Sequence, residues 1–358
     1  MPWVRRTRHL AVGVDDDSTV AVRSLLTGRR VRLSTEELAA LVAVPVRTWM
    51  WRGRDDAWVE RLGADGLLVT DEPREPFVSL RSRDDELTAL GWWPDAAALH
   101  LGARWEGVRG RAPDRDGVLP PRPPHTTDAL PALPVRGGAR TALPPSGEAS
   151  PLRELLARRR TVRTFDGALD VGLLATLLRW VWGAHGTIGL AGGDTGLRRT
   201  SPSGGSFHPI EVYPVVRDVD GLAPGIYHYL GGEHALELVC DLAEEFLDSA
   251  LAGQWFFAES PVAFVMTARF GRSFRKYRRH AKIYRAIFLD AGHLSQTFYL
   301  LCTELGLGPW VTAALDESVI ETALELDPLT EGVVAVCGCG RPASSEPVAP
   351  LEPVFSPL

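Results

Sequence analysis

The chain has 358 residues, of which 45% are hydrophobic and 23% are charged, and its net charge is −6. These values are typical of a soluble globular protein with room for two domains. The negative charge argues against a protein built wholly to bind nucleic acid. No apolar stretch reaches the length of a membrane span, and the N-terminus lacks the apolar core of a signal peptide. We therefore expect a cytoplasmic protein that binds neither nucleic acid nor a membrane.

Four cysteines stand in apolar surroundings: Cys240, Cys302, Cys337 and Cys339. Cysteines in such surroundings are typically buried, reduced thiols. The pair Cys337 and Cys339 has no histidine and no second cysteine pair at zinc spacing. We therefore expect no metal site.

Residues 1–90 predict a small α+β domain. Strands are expected over Thr19–Leu26 and Val31–Leu33, and the capping box Ser34–Glu37 begins a helix. A second helix is expected over Asp56–Leu62, followed by a wing-like strand at Leu67–Thr70. This order favours a winged-helix-like domain. On the residues alone it is a structural addition or, less favoured because aspartates offset its arginines, a DNA-binding unit.

Residues 91–150 predict a helical segment followed by a linker. The stretch Asp84–Trp105 has helical character, which Pro94 breaks into two pieces. His100 lies in the second piece, where a hydrogen-bonded structural histidine is favoured over a functional one. From Arg111 to Ser150 the prolines are too frequent for a packed core, so we expect an extended linker or an arm on the surface.

Residues 151–358 predict a second α+β domain without repeated βαβ units. Ser150 caps its first helix, whose expected buried leucines are Leu152, Leu155 and Leu156. Gly183–Leu197 is rich in glycine and is expected to be a mobile loop. A long helix is expected over Lys282–Leu305. Its apolar stripe comprises Ile283, Ile287, Phe288, Ala291, Leu294, Phe298 and Leu301. This stripe is long enough for the core of a dimer.

The stretch Arg199–Pro209, with the sequence RTSPSGGSFHP, predicts a tight polar loop that leads into the strand Ile210–Val216. Its prolines and glycines exclude a helix or a regular strand interior. Gly204 and Gly205 allow a ligand to approach the backbone. The serine hydroxyls and the backbone amides suit a polar ring edge or a phosphate. We name this stretch the central loop.

Five further motifs stand in a fixed order around the central loop: Arg159–Phe165, Gly225–Tyr229, Leu289–Gln296, Glu304–Gly308 and Cys337–Pro342. Their order and spacing resemble those of the nitroreductase-like flavoproteins. The run Ser-Pro-Ser-Gly-Gly-Ser-Phe-His-Pro, with Gly-Ile-Tyr-His-Tyr after it, resembles the SagB-type branch. That resemblance implies an FMN-dependent dehydrogenase that oxidises azolines to azoles in ribosomal peptides. It also implies a nitroreductase-like FMN domain behind the winged-helix-like domain.

The resemblance implies a set of FMN-binding residues: Arg159, Arg160, Thr161, Arg163, Pro202, Ser203, Gly204, Gly205, Ser206, Gln296, Gly308, Trp310, Val311, Thr312, Gly340 and Arg341. Arg159 and Arg341 correspond to phosphate ligands, and the guanidinium fork suits phosphate oxygens. Arg163 corresponds to a cation at the pyrimidine edge, where positive charge stabilises the reduced flavin. Without the other motifs, arginines at a helix end indicate only a favourable interaction with the helix dipole.

The resemblance implies that Lys276 and Tyr277 handle the proton, because the family has a Lys-Tyr pair ahead of the long helix. The pair lies two residues further from Asp290 than is usual, and Lys282 and Tyr284 are alternatives. Eight Lys and Arg residues lie between Arg269 and Arg285. Besides a proton-handling role, this run is compatible with a solvated basic face or with a surface for an acidic leader or substrate peptide.

The function implied is therefore oxidation of thiazoline or oxazoline rings during ribosomal peptide maturation. The implied partners are a ribosomal precursor peptide, a cyclase of the same pathway and a second copy of the chain. The N-terminal domain has a weak similarity to leader-peptide recognition domains. Two alternatives remain: a flavin reductase of small nitro or quinone compounds, and a homologue that binds peptide without catalysis.

Overall fold

A computed structural model of the chain describes residues 3–14, 20–51, 57–107, 137–144, 150–190, 193–277 and 281–345. The N-terminal region contains six strands: β1 (Trp3–Arg6), β2 (Leu10–Val14), β3 (Val20–Ser24), β4 (Arg30–Arg32), β5 (Met50–Trp51) and β6 (Leu68–Thr70). It also contains four helices: α1 (Thr35–Ala43), α2 (Ala57–Ala64), α3 (Phe77–Leu90) and α4 (Pro94–Ala103). The expected linker falls largely outside the described residues, and residues 137–144 form neither helix nor strand.

The N-terminal strands form two antiparallel sheets, β2-β3-β4 and β5-β1-β6. The strand that the sequence suggests as a wing, β6, pairs with β1. The predicted capping box is confirmed, because Ser34 and Glu37 each bond the other's backbone N–H. Val4, Leu41 and Leu62 form the core of this region. The helices α3 and α4 instead share their core with the second half of the chain.

The second half of the chain begins with α5 (Pro151–Arg158), β7 (Phe165–Asp166), β8 (Leu169–Asp170), α6 (Val171–Val181), β9 (Gly186–Gly189) and β10 (Thr195–Arg198). A short 3-10 turn at Gly204–Ser206 precedes β11 (Ile210–Val216), β12 (Val219–Asp220), β13 (Gly225–Leu230) and β14 (Ala235–Cys240). The remaining elements are α7 (Phe246–Ala250), α8 (Trp255–Ala258), β15 (Val262–Arg269), α9 (Phe270–Phe274), α10 (Ile283–Glu304), β16 (Gly308–Thr312), α11 (Glu317–Ala323) and β17 (Glu331–Pro342).

The main sheet has the order β14-β13-β11-β15-β17-β16, with β7 paired to β17, and its neighbours are antiparallel. Successive residues of a strand point to opposite faces. On β15, Phe264 and Met266 therefore join the core beneath α10, whereas Ala263 and Val265 join a second core on the other face. Helices and antiparallel strands mix in one domain, so the expected α+β fold is confirmed.

The glycine-rich segment 183–197 contains the hairpin β9-β10, and its mobility stays a prediction. Two packing expectations for the second half are wrong. Leu152 and Leu156 of α5 are exposed, because α5 is a short surface helix without a buried residue. The stripe of α10 that was expected to build a dimer packs largely inside the chain, although Phe288 remains 41% exposed.

The cysteines Cys302, Cys337 and Cys339 are free and buried, whereas Cys240 is partly buried. In the part of the chain that the structure describes, no three His, Cys, Asp or Glu residues are grouped as metal ligands. No helix of the described ranges is long and apolar enough to cross a bilayer.

Candidate functional site

A buried carboxylate of α10 holds the central loop. The Asp290 side chain accepts hydrogen bonds from Ser203 Oγ at 2.6 Å and from the Gly204 N–H at 3.1 Å. Ser203 Oγ also accepts the His208 N–H at 2.9 Å. Burial raises the pKa of Asp290, while the bonds from Ser203 and Gly204 act to lower it. These hydrogen bonds therefore fix the backbone of the central loop from Ser203 to His208.

Two more contacts along α10 hold the beginning of the central loop. His293 Nδ1 lies 3.2 Å from the Pro202 carbonyl oxygen. Ser201 Oγ lies 2.6 Å from Thr297 Oγ1. Positions 290, 293 and 297 lie on one side of a helix. One face of α10 therefore positions most of the loop residues that the sequence predicts to bind the cofactor.

The predicted catalytic pair packs directly against the central loop. Gly205 has a φ of 69°, and a Cβ there would lie 2.6 Å from Tyr277 Oη and 3.3 Å from Lys276 Nζ. Only glycine satisfies both the positive φ and the close approach. Lys276 Nζ also lies 5.3 Å from the centre of the Phe207 ring. The structure thus brings together the loop and the Lys-Tyr pair, which are 70 residues apart in sequence.

Arg159, one of the predicted phosphate-binding arginines, lies near the other end of α10. The Arg159 guanidinium lies 5.3 Å from the centre of the Tyr299 ring, and Thr161 Oγ1 lies 2.8 Å from Tyr299 Oη. Nine residues separate Tyr299 from Asp290, which corresponds to about 14 Å along a helix. An extended ligand beside α10 could therefore reach both Arg159 and the central loop.

The segment that carries these arginines runs beside β16. The Val162 N–H donates to the Pro309 carbonyl at 3.0 Å, and a Cβ at Gly308 would lie 2.6 Å from Val162. Gly308 is paired with Gly340, the neighbour of Arg341. The glycines therefore allow the segment around Arg163 and the end of β17 to approach each other closely.

The charges near this segment suit a phosphate. Among the described residues, Arg159, Arg160 and Arg341 form no ion pair, and Arg160 and Arg341 are exposed. Guanidinium groups without a carboxylate partner are suited to a dianionic phosphate, which they bind through paired N–H donors. The donor set of this chain therefore fits the phosphate end of FMN, and the glycine turn of the central loop fits a flat polar ring.

Trp310 corrects one expectation about the site. Its side chain is fully buried and stacks on Phe257, with ring centres 4.4 Å apart and an interplanar angle of 9°. Thr312 Oγ1 donates to Gln254 Oε1 at 3.0 Å. The indole of Trp310 is therefore a core group, whereas the neighbouring Val311 and Thr312 are only partly buried. Gln296, by contrast, is exposed on α10.

An aromatic cluster flanks the described residues 275–277 and 281–282, which we name the catalytic segment because they include the predicted catalytic pair. Trp92 lies at its centre, 4.8 Å from both Phe270 and Phe274 between ring centroids. Tyr284 and His100 complete the cluster, which we name the aromatic dock. Phe274 directly precedes the catalytic segment and Tyr284 follows it. The helices α3 and α4 thus hold both ends of the segment that carries Lys276 and Tyr277.

His100 has the structural role that the sequence favours. Its Nε2 lies 2.8 Å from the Pro328 carbonyl and its Nδ1 lies 3.3 Å from Tyr284 Oη. Burial lowers the pKa of His100 to about 4 and raises the pKa of Tyr284 to about 12. Tyr284 is therefore a neutral core residue, which argues against it as the alternative proton carrier. Lys282 remains exposed.

Asp290 is a candidate site residue that the sequence reasoning did not single out. It stands in the run Leu289–Gln296, which the motif comparison used without giving the carboxylate a role. An aspartate at a helix position that the apolar stripe would bury is the signal that could have identified it, since such a group needs partners. Its partners lie 86 and 87 residues away in the chain.

Comparison with known proteins agrees with this geometry. The profile of the nitroreductase family matches residues 156–341, more than half of the chain. A Methanocaldococcus jannaschii protein named as a nitroreductase is 30% identical over 185 residues, which cover 51% of this chain and 88% of that protein. The trifolitoxin-processing protein TfxB of Rhizobium leguminosarum bv. trifolii is 32% identical over 47% of this chain and 46% of its own length.

A third relative is the microcin B17-processing protein McbC of Escherichia coli, which is 29% identical over 37% of this chain and 51% of that protein. The matches thus span about half the length of the two peptide-processing proteins. The family match and the arrangement of the central loop, the arginines and α10 lead to one conclusion. The chain is an oxidoreductase that belongs to the nitroreductase family, whose members generally bind flavin.

Proposed function

We propose that the protein is an FMN-dependent dehydrogenase that oxidises thiazoline or oxazoline rings of a ribosomal peptide to azoles. The contact of Lys276 and Tyr277 with Gly205 is the observation that carries this proposal. It places an amine and a phenol beside the loop that suits a flavin ring. An oxidation that removes a proton and a hydride from one ring requires both groups at one place.

FMN would be held by residues from both ends of α10. Arg159, Arg160 and Arg341 would bind the phosphate, with Thr161 alongside. The central loop, from Pro202 to Ser206, would lie along the ring, and Arg163 would place positive charge at the pyrimidine edge. The strand β16 and Gly340 would contribute backbone. When bound, FMN supplies the acceptor for the hydride.

The side chains of this chain would handle the proton. The Lys276 amine would take it from the ring carbon of the substrate, and Tyr277 would orient the amine or relay the proton. Lys276 is exposed, so a peptide can reach it. Asp290 would hold the central loop in place through Ser203 and Gly204 rather than contact the substrate.

The peptide substrate is supported by the names of two relatives, which are processing proteins for trifolitoxin and microcin B17. On this proposal the partners are a ribosomal precursor peptide and a cyclase that forms the rings, in the cytoplasm. The winged-helix-like N-terminal domain would contribute to peptide recognition. We keep a domain division at residues 90 and 150 as part of the proposal.

A homodimer belongs to the same proposal. The helices α5 and α10 contact each other and expose several large apolar side chains: Leu152, Leu156, Phe288 and Leu289. Exposed apolar groups on two contacting helices are typical of a surface that pairs with a second copy. Light scattering at micromolar concentration should give the mass of a dimer, and the mass of a monomer would contradict this part.

The central test has two stages. The purified protein should be yellow, and the released cofactor should be FMN by chromatography. Incubation with the precursor peptide, after a cyclase has acted on it, should remove two hydrogen atoms per ring by mass spectrometry. A colourless protein that also fails to bind added FMN would contradict the proposal. A yellow protein that reduces nitro compounds or quinones but leaves the peptide unchanged would favour the flavin-reductase alternative, which the archaeal relative supports.

A further inference from the structure

A strongly basic stretch borders the candidate site. From Arg269 to Arg285 the sequence contains eight Lys and Arg residues and no Asp or Glu, in a chain whose net charge is −6. Like charges at this density repel one another, and protein surfaces usually mix both signs. The composition of the whole chain therefore does not account for this stretch.

The stretch is amphipathic in three dimensions. Its aromatic side chains Phe270, Phe274 and Tyr284 belong to the aromatic dock and face the interior. Among the residues that the structure describes, five of its cations are exposed. We name the exposed ones the basic face: Arg269, Arg275, Lys276, Lys282 and Arg285. The guanidinium side chains of Arg269 and Arg275 are 57% and 70% exposed.

The basic face adjoins the central loop directly. Lys276 approaches Gly205, and Arg272, which lies between the exposed cations, donates from Nε to the Phe207 carbonyl. Arg275 Nη2 lies 3.3 Å from Asp194 Oδ1, next to the hairpin β9-β10. A peptide that lies across the basic face would therefore come close to Lys276 and Tyr277, the proposed proton-handling pair.

Carboxylates from other elements pair with two cations of the face: Glu211 lies 3.4 Å from Arg269, and Asp194 pairs with Arg275. Burial acts to raise the pKa of Glu211, but the hydrogen bond with His228 and the charge of Arg199 outweigh it and lower that pKa. Among the described residues, Lys276 and Arg285 form no ion pair. Their positive charge would be complemented by a partner with several carboxylates.

We propose that the basic face binds an acidic stretch of the peptide substrate and so guides the reactive ring toward Lys276. This inference rests on the proposed function, since it concerns the same peptide. The aromatic dock fixes the orientation, because it turns the aromatic side of the stretch inward and leaves the cations beside the central loop. The contact is electrostatic and exposed, so it should weaken as salt screens it.

Fluorescence anisotropy can test this proposal without the natural peptide. The probe is a fluorescein-labelled peptide of ten glutamates, added to the FMN-loaded full-length protein. The test variant is Lys282→Glu with Arg285→Glu, and the control is Arg47→Glu with Arg153→Glu. Each double variant replaces two exposed cations with two glutamates, so both variants change the net charge by the same amount. Acidic side chains at the N-terminus of α10 interact favourably with the helix dipole, so the test variant should keep its fold.

We expect the probe to bind the wild type and the control alike, and the test variant about tenfold more weakly. Binding should also fall as salt rises. Equal affinity of the two double variants would overturn the proposal, as would no binding of the probe to the wild type. Tighter binding of a ten-nucleotide single strand than of the peptide would overturn it in favour of nucleic acid. FMN content is measured in each sample, so failure of the basic face is distinguishable from failure of the flavin site.

Discussion

The central loop and the catalytic segment meet at Gly205, but different parts of the chain stabilise them. The central loop is fixed along its length by α10, through Asp290 and Thr297. The catalytic segment is fixed at its two ends, where the aromatic dock packs Phe274 and Tyr284 around Trp92. Hydrogen bonds from α10 thus hold the loop proposed to bind the cofactor, whereas packing against the region of α3 and α4 supports the segment proposed to handle the proton.

This difference implies that the two sides can be disturbed separately. A change at the arginines or at Asp290 acts within the nitroreductase-family domain. A change at His100 or Trp92 acts through the contact between α4 and α9 and should reach Lys276 first. Energies of distant sites without shared partners are usually additive, so variants of the two sides should show little coupling.

The largest effect is expected from Lys276→Ala. Loss of a general base usually lowers the rate by about 10²–10⁴-fold. Peptide oxidation should fall by that factor, while FMN content and assembly state stay unchanged, because Lys276 contacts the loop without holding it. Rapid-mixing kinetics of peptide oxidation by the FMN-loaded enzyme would measure this loss.

Lys282→Ala is the matched control, since Lys282 is exposed in the same basic stretch. It should cause a mild loss that shrinks as salt rises. Similar mild losses in both variants would show that the stretch only attracts peptide. A large loss of the peptide-oxidation rate in Lys282→Ala but not in Lys276→Ala would identify Lys282 as the general base.

The aromatic dock should make stability depend on pH through His100. Burial lowers the pKa of His100 from 6.5 to about 4. Above pH 6.5 the histidine is neutral in both folded and unfolded chains, and its contribution is fully present. As pH falls from 6.5 to 4, the unfolded chain takes up a proton that the folded chain resists. The free energy of unfolding should then fall by up to ~3 kcal/mol.

His100→Gln provides the comparison, because glutamine retains hydrogen-bonding groups and does not titrate. Urea unfolding at several pH values should show that the stability advantage of the wild type over this variant shrinks between pH 6.5 and 4. Parallel pH profiles would show that His100 does not resist protonation. FMN affinity at pH 7 should be nearly the same in both proteins, since the dock does not touch the arginines.

On the cofactor side, Arg341→Ala should weaken FMN binding more than folding. A charge-assisted hydrogen bond to phosphate contributes roughly 1.5–3 kcal/mol, or about 10- to 150-fold in affinity. Fluorescence titration of the flavin-free protein with FMN would measure this change. Arg153→Ala, an exposed arginine of α5, is the control and should leave the affinity unchanged. Equal affinities of wild type and Arg341→Ala at equal stability would remove Arg341 from the phosphate site.

Much of the fold could be predicted because its signals are local. Ser34 and Ser150 cap the helices that the sequence assigns to them. The long helix α10 also follows from periodicity. Burial within a helix is harder to predict, since Leu152 has the spacing of a core residue but is exposed among the elements that the structure describes.

The site was harder to predict because its contacts join distant segments. The sequence contains the Lys-Tyr pair and the central loop, but their meeting at Gly205 depends on how α9 leads into the catalytic segment. The structural role of His100 was favoured, yet its partners Pro328 and Tyr284 lie 228 and 184 residues away. The resemblance to the family assigns Trp310 to the FMN site by its position in the sequence. Its burial against Phe257 depends on packing between distant segments, which the sequence position does not reveal.

The smallest effect is expected from Ser203→Ala, which tests how the central loop is held. Ser203 Oγ donates to Asp290 and accepts the His208 N–H. Its removal leaves Asp290 with the Gly204 N–H alone and leaves the His208 N–H without this partner. The free energy of unfolding of the flavin-free protein should fall by about 1 kcal/mol, measured by urea titration at pH 7.

Ser206→Ala is the control for this change. It makes the same substitution in the same loop, at a serine whose side chain forms no hydrogen bond among the described residues. Its stability should therefore match that of the wild type. Equal losses in both variants would mean that the loop merely disfavours alanine, and that the link from Ser203 to Asp290 contributes nothing specific.

The pH dependence of the Ser203→Ala effect tests its cause. Burial raises the pKa of Asp290, and the bond from Ser203 opposes that rise. An acid whose folded pKa is raised stabilises the fold at low pH and loses that contribution as pH rises through the folded pKa. Without Ser203 the pKa should rise further, so the destabilisation should be larger at pH 7 than at pH 4. A loss of equal size at both pH values would show that the bond does not act on the charge of Asp290.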